Sequence, residues 1–210
     1  MGRIRSAALF LLLLALAGPA EVRAQGDAAV GEVIALRGSC TVVRSTGAAP
    51  LTVGASILRA DRIVTAPDAR IKIRFHDGTV IALGSGSELV PADYAVESGV
   101  RRSAVLSMIQ GLFRAVVTPG LPNSRFELRT STAAASVRST DWMAQTSVEN
   151  TSVFVADGAV EVSSLPPAPP ESVLLRSGEG TDVPAAAVPI GPVRWSQRRI
   201  DALVSATTVP

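Results

Sequence analysis

Residues 70–83 read Arg-Ile-Lys-Ile-Arg-Phe-His-Asp-Gly-Thr-Val-Ile-Ala-Leu, two alternating runs on either side of an Asp-Gly turn. A three-residue loop places Ile73 opposite Ile81 and gathers the apolar side chains on one face, whereas a two-residue loop scatters them over both faces. The pattern therefore predicts a half-buried β-hairpin with Gly78 in the left-handed conformation of a G1 bulge.

A second Asp-Gly pair, Asp157-Gly158, lies in the middle of the apolar segment 153–162. Here a two-residue loop pairs Val155 with Val160 and keeps the flanking valines in register. We therefore expect a tight hairpin at this point. Both turns give their aspartates a structural role before any catalytic one.

The same sequence pattern extends from Gly31 to Val183, where short runs of Val, Ile, Leu and Thr are interrupted by Gly, Pro, Asp or Asn. Two such runs, Val105–Ile109 and Leu112–Val117, are predicted as separate strands. This spacing predicts an all-β fold, a jelly-roll-like β-sandwich. The spacing of apolar residues after Trp195 favours a short C-terminal helix that docks on the edge of the domain.

The N-terminus has the three parts of a signal peptide. Arg3 and Arg5 precede an apolar run over 7–17, and small residues lead to a cleavage site after Ala24, with Ala15-Leu16-Ala17 as a second candidate. The run is about half the ~20 residues that a spanning helix needs. We predict a signal peptide over 1–24, a β domain over 25–183 and a Pro/Ala-rich linker and tail over 184–210. The expected location is periplasmic or secreted, with no integral membrane segment after cleavage.

The charge balance argues against a nucleic-acid partner. Removing residues 1–24 takes Arg3, Arg5 and Arg23 from 20 basic residues and Glu21 from 18 acidic ones, which leaves 17 of each. The basic pI of about 9.3 is therefore largely a property of the leader. A neutral chain lacks the electrostatic footprint of a nucleic-acid-binding protein.

Residues that carry chemistry are scarce. His76 is the sole histidine and lies in a turn, and Cys40 is the sole cysteine, for which a buried strand position is favoured over a reactive thiol. We therefore predict no metal, no cofactor and no enzymatic activity. A cryptic carboxylate hydrolase stays open as an alternative, because any two of several acidic residues can converge in space: Asp61, Glu88, Asp93, Glu97 and Glu127.

An ordered series of segments resembles the FecR domain, the module named after the periplasmic half of the iron-dicitrate signalling regulator. The resemblance covers about residues 30–163, and its most particular piece is Val137-Arg138-Ser139-Thr140-Asp141-Trp142, similar to the family's V-R-G-T-x-aromatic segment. Two departures stand out: Ser139 replaces a usual Gly, and Ala60 replaces the Gly that usually precedes Asp61. If either family glycine has a positive φ, its replacement implies local strain.

The resemblance implies a stand-alone exported FecR-like domain that binds a partner without catalysis, in envelope signalling or scaffolding. An envelope protein is the expected partner, bound by protein–protein recognition in which an exposed edge strand accepts a partner strand. A cell-wall or polysaccharide-binding module is the alternative. The candidate partner surface comprises four residues: Arg138, Thr140, Asp141 and Trp142. For Arg138 the competing interpretation is a guanidinium that bonds loop carbonyls, and for Trp142 it is packing in the core.

Overall fold

The computed structural model describes residues 28–209, and it confirms the all-β fold with one short C-terminal helix. The predicted signal peptide, 1–24, lies outside these residues. The elements in chain order are β1 (Ala29–Arg37), β2 (Cys40–Arg44), β3 (Gly47–Pro50), β4 (Ser56–Leu58), β5 (Arg62–Thr65), β6 (Arg70–Phe75), β7 (Val80–Leu83), β8 (Glu88–Glu97), β9 (Val100–Val117), β10 (Arg125–Arg129), β11 (Ala133–Val137), β12 (Thr140–Thr146), β13 (Asn150–Asp157), β14 (Ala159–Ser164), β15 (Ser172–Arg176), β16 (Glu179–Pro184), β17 (Val193–Arg194) and α1 (Gln197–Thr207).

The strands form two layers that share β9. Layer A has the order β4-β1-β6-β7-β9-β12-β13-β16-β17. Layer B has the order β3-β2-β5-β8-β9-β10-β11-β14-β15. Apolar side chains from the two inner faces, such as Ile63 of layer B and Ile73 of layer A, belong to one continuous core. Hairpins alternate between the layers, and β9–β10 is the one parallel pairing among residues 28–209.

The first Asp-Gly hairpin has the predicted register. Ile73 pairs with Ile81, and Ile71 pairs with Leu83. The Phe75 N–H donates to the Thr79 carbonyl at 2.8 Å, and Gly78 has a φ of +84°. The three-residue loop is confirmed.

The prediction of a tight hairpin at the second Asp-Gly pair is wrong. Val155 pairs with Trp142 of β12 in layer A, and Val160 pairs with Val137 of β11 in layer B. Gly158, at a φ of +92°, therefore turns the chain from one layer into the other. The alternation of apolar residues fits this arrangement as well as it fits a hairpin, because Val155 and Val160 are both fully buried on inner faces.

The two strands predicted over 105–117 form a single strand, β9. Its N-terminal part pairs with β8 and β10 in layer B, and its C-terminal part pairs with β7 and β12 in layer A. Gly111, at a φ of +107°, lies between the two parts. A Cβ there would lie 2.3 Å from Ser87 Oγ, so the crossing also needs a residue without a side chain.

The predicted C-terminal helix is present as α1. The Ser196 hydroxyl caps it by accepting a hydrogen bond from the Arg199 N–H. Its buried Leu203 packs in a small apolar cluster with Met143, Phe154 and Trp195 on the outer face of layer A. The helix thus docks on the domain. Across residues 28–209, no helix has both the length and the apolar character that a membrane crossing requires.

Candidate functional site

The four residues of the candidate partner surface lie at the turn from β11 to β12, but they differ in exposure. Arg138 is exposed, whereas Asp141 is half-buried and its carboxylate pairs with the Arg114 guanidinium at 2.8 Å. Thr140 is buried and donates its hydroxyl to the Ala159 carbonyl. Trp142 is 0% exposed. Only Arg138 and part of Asp141 face the solvent.

Trp142 is a core residue. Its ring lies 5.2 Å from that of Phe113, and its alternating neighbours on β12 point to the outer face of layer A. The structure therefore agrees with the core interpretation of this tryptophan and leaves its ring out of contact with any partner.

Arg138 lies between two surface clefts. The larger, with a volume of about 360 Å³, extends over the outer face of layer B to Leu174 on β15. The smaller, about 270 Å³, is bordered by the loop 119–124. Within residues 28–209 the Arg138 guanidinium forms no ion pair or hydrogen bond, so it does not bond loop carbonyls.

The larger cleft, which we term the Arg138 cleft, is mixed in character. The buried residue Phe126 is among those that line it, and Leu174 at its far side is 51% exposed. Glu161, also at the far side, forms no ion pair with any residue of 28–209. The arrangement suits a chain segment that carries a carboxylate for Arg138 and an apolar side chain for Leu174.

Next to the cleft, Glu127 accepts hydrogen bonds from two arginines on its own strand, Arg125 and Arg129. Burial alone would raise the pKa of the Glu127 carboxyl, but the hydrogen bonds and positive charges of the two guanidinium groups outweigh it, so the pKa is lowered. The side chains stand at alternate positions of β10 and share its outer face. These three side chains form ion pairs with one another, whereas Arg138 has no such partner within residues 28–209.

A buried ion pair holds the backbone at Arg138. Arg101 donates from Nη1 to Asp77 at 2.7 Å and from Nη2 to the Arg138 carbonyl at 3.1 Å. The same Nη2 donates to the Thr118 carbonyl at 2.9 Å, and the Tyr94 hydroxyl donates to Asp77 at 2.8 Å. Burial and the nearby Asp77 charge raise the pKa of Tyr94. The buried Arg101 side chain thus links the exposed turn at Arg138 to Asp77 in the interior.

Arg101 is the site residue that the sequence does not single out. It lies beside Arg102 in an Arg-Arg pair that looks like solvated surface. Arg101 is fully buried, and its guanidinium carbon lies 5.3 Å from the centre of the Phe126 ring beneath the cleft. Simple alternation along β9 puts Arg101 and Leu106 on opposite faces. The bulges between β8 and β9 bring them to the same face, and these bulges cannot be located in the sequence.

The acidic residues considered for catalysis each contact a polar partner of their own. His76 is exposed at its turn. Each carboxylate of the hydrolase alternative has its own partner: Asp61 with Arg44, Glu88 with Arg62, Asp93 with Ser103, Glu97 with Arg102, and Glu127 with Arg125 and Arg129. In the part of the chain that the structure describes, no three His, Cys, Asp or Glu side chains cluster in a way that could hold a metal ion.

Cys40 occupies the buried strand position that its sequence context favours. It begins β2 and is 2% exposed. Burial raises the pKa of its thiol to about 11. The group is therefore neutral at physiological pH and unsuited to nucleophilic chemistry.

The fold has counterparts among solved structures. Two crystal structures, at 1.65 Å and 2.50 Å, show a proposed anti-sigma factor from Parabacteroides distasonis ATCC 8503. Each is 19% identical to this chain with a TM-score of 0.56 and covers 68% of it. The chain in turn spans 64% and 63% of those structures, less than two thirds of their length. No curated protein matches the chain.

The family described as FecR protein matches residues 61–161. This range begins at Asp61, just after the Ala60 departure, and includes the Val137–Trp142 segment and both Asp-Gly turns. The predicted resemblance to the FecR domain is confirmed over residues 61–161.

Proposed function

We propose that the protein is a non-enzymatic FecR-type binding domain of the bacterial cell envelope that acts in signalling or scaffolding by recognising another protein. The FecR match supports a regulatory domain, and the fold is one that the proposed anti-sigma factor also has. Its site of action is periplasmic or secreted, which the signal-peptide pattern of residues 1–24 supports.

The observation that carries this proposal is the Arg138 guanidinium, which has no partner within residues 28–209 and is exposed at the junction of two clefts, while Arg101 bonds the carbonyl of the same residue. A cation on a turn whose backbone is held by buried hydrogen bonds is a specific recognition element for a carboxylate. The exposed Leu174 adds apolar contact at the other end of the Arg138 cleft. Charge and apolar area together favour a polypeptide partner.

The polysaccharide alternative needs an aromatic ring that a sugar can stack on. Every Trp, Tyr and Phe among residues 28–209 is buried, including Trp142 and Trp195. Carbohydrate stacking therefore has no support on the described surface.

The proposal is tested by site-specific photo-crosslinking in the producing cell. A photoreactive residue replaces the exposed Ser139, beside Arg138, and the matched control places it at Val148, which is 72% exposed. We expect a defined protein adduct from position 139, and we expect Arg138→Glu to abolish it. Adducts that are equal at both positions, or that persist in the Arg138→Glu variant, would overturn the proposal.

Export is tested separately by intact-mass measurement of the protein from the same cells. Cleavage after Ala24 gives a chain that begins at Gln25. A full-length species in the membrane fraction would contradict the periplasmic or secreted location and leave the Arg138 cleft to be judged on its own test.

A further inference from the structure

Strand β15 is an open edge of layer B. It pairs with β14 on one side, in the register Val162 with Val173 and Glu161 with Leu174. No strand among residues 28–209 pairs with its other side. Leu174 is one of the few large apolar side chains at the surface.

The direction of each backbone group on β15 follows from the ladder. The Ser164 N–H donates to the Glu171 carbonyl, so positions 171, 173 and 175 point toward β14. Positions 172, 174 and 176 point away from it. The Arg176 N–H confirms this direction, because it donates to the Glu179 carboxylate at 2.8 Å.

The open part of the edge is therefore short and has defined ends. At its C-terminal end Glu179 occupies the N–H of Arg176. At its N-terminal end stands Pro170, which has no N–H. Between them Ser172 and Leu174 direct N–H and C=O groups outward without a partner in the described chain. We call residues 172–174 the open edge.

The open edge is complementary to itself. If a second copy lies antiparallel with Val173 opposite Val173, then Ser172 of each copy faces Leu174 of the other. Each facing pair exchanges two N–H···O=C bonds, so the two copies form four. In the same register Pro170 faces Arg176, so the ladder ends where neither residue has an N–H to offer.

Charge and apolar contact favour the same arrangement. The strand has an acidic residue, Glu171, just before it and a basic residue, Arg176, at its end, and antiparallel pairing brings the acidic end of one copy beside the basic end of the other. Half-buried Val173 gains a cover on the inner face. We infer that the protein forms a two-fold homodimer by pairing its open edges, which extends layer B across two copies.

The contact is small, so the dimer is reversible and depends on protein concentration. Sedimentation equilibrium of the purified protein measures this directly. We expect the weight-average mass to rise with concentration toward twice that of the monomer. A monomer at every concentration would overturn the inference.

Two proline variants test the edge itself. Leu174→Pro removes an outward N–H and leaves the bonds to β14 intact, and Ser172→Pro does the same at the other open residue. We expect both to remain monomeric, with Leu174→Thr, which keeps the N–H, still dimerising. Thermal unfolding establishes that each variant is folded. A folded proline variant that dimerises like the parent protein would place the contact elsewhere.

The register is tested by a disulfide. Val173 faces its counterpart as a non-hydrogen-bonded pair, in which the Cα atoms lie about 4.5 Å apart, within the range of a disulfide. Under oxidation Val173→Cys is expected to give a linked dimer, and the exposed control Val148→Cys is not. Equal linkage of the two would refute the register. Arg138→Glu should leave the dimer unchanged, so failure here is distinct from failure of the proposed function.

Discussion

Arg101 and Asp77 form an ion pair inside the sandwich, with Nη1 2.7 Å from Oδ2 and both side chains completely buried. The pair joins the tip of the β6–β7 hairpin to β9. Through Nη2 the same guanidinium bonds the carbonyl of Arg138. The buried guanidinium of Arg101 thereby positions the backbone that carries the exposed guanidinium of Arg138.

Replacing Arg101 by Met is expected to destabilise the protein by about 3–5 kcal/mol, because it leaves the Asp77 carboxylate buried without its partner. Urea unfolding measures the change. The matched control is Arg74→Met, whose pair with Glu32 is about half exposed and should be worth less than about 1 kcal/mol. Similar losses in the two variants would contradict the role given to the buried pair.

Replacing Ala60 by Gly is expected to stabilise the protein. Ala60 has a φ of +66°, where a side chain costs roughly 1–2 kcal/mol and glycine is free of the cost. We expect a gain of about 1 kcal/mol in unfolding free energy. Ala48→Gly, at an exposed position of β3 without a positive φ, serves as control and should be neutral or destabilising. A loss of stability in Ala60→Gly would show that the backbone at this position is not strained.

The Cys40 thiol is expected to resist modification in the native protein. Its pKa of about 11 and its burial keep the thiolate fraction small at pH 8. An aromatic disulfide reagent should therefore release its chromophore only when urea unfolds the chain. Rapid stoichiometric reaction without denaturant would contradict the buried position.

Glu127 should contribute stability that disappears in acid. Its folded pKa lies below the unfolded value of about 4.3, so the contribution is complete above that value and is lost as the pH falls through the folded pKa. Glu127→Gln is expected to lower stability at pH 7 and to flatten the decline in stability that occurs as the pH falls through the folded pKa of Glu127. The matched control is Glu161→Gln on the same outer face, where the carboxylate has no ion pair within residues 28–209. This variant should change stability at pH 7 less than Glu127→Gln does, and an equal effect of both would exclude the Arg125 and Arg129 contacts as the cause.

The β6–β7 hairpin was predictable because its register depends on neighbouring residues alone. In residues 70–83 the loop length and the alternation admit one register, and that register is present. Around Gly158 the same kind of pattern fits two outcomes, since an inner-facing valine is buried equally in a hairpin and in a strand that changes layers. Choosing between them needs the long-range partners β11 and β12.

The candidate site was predictable only in part, for the same reason. Arg138 was identified through the family segment and is exposed as a contact residue must be. Arg101 and Thr79 were not identified as a network, because their contacts to Asp77 and Thr118 join segments up to 39 residues apart. For this reason Thr79→Val, which a simple hairpin would tolerate, is expected to be costly.

The alternation of hairpins between the two layers has a consequence for how the chain acquires its structure. Each new hairpin pairs with strands that precede it by only a few elements, so a polypeptide that emerges from its N-terminus can build the sandwich progressively on what has already formed. Strand β15, which carries the open edge, is among the later strands to be added.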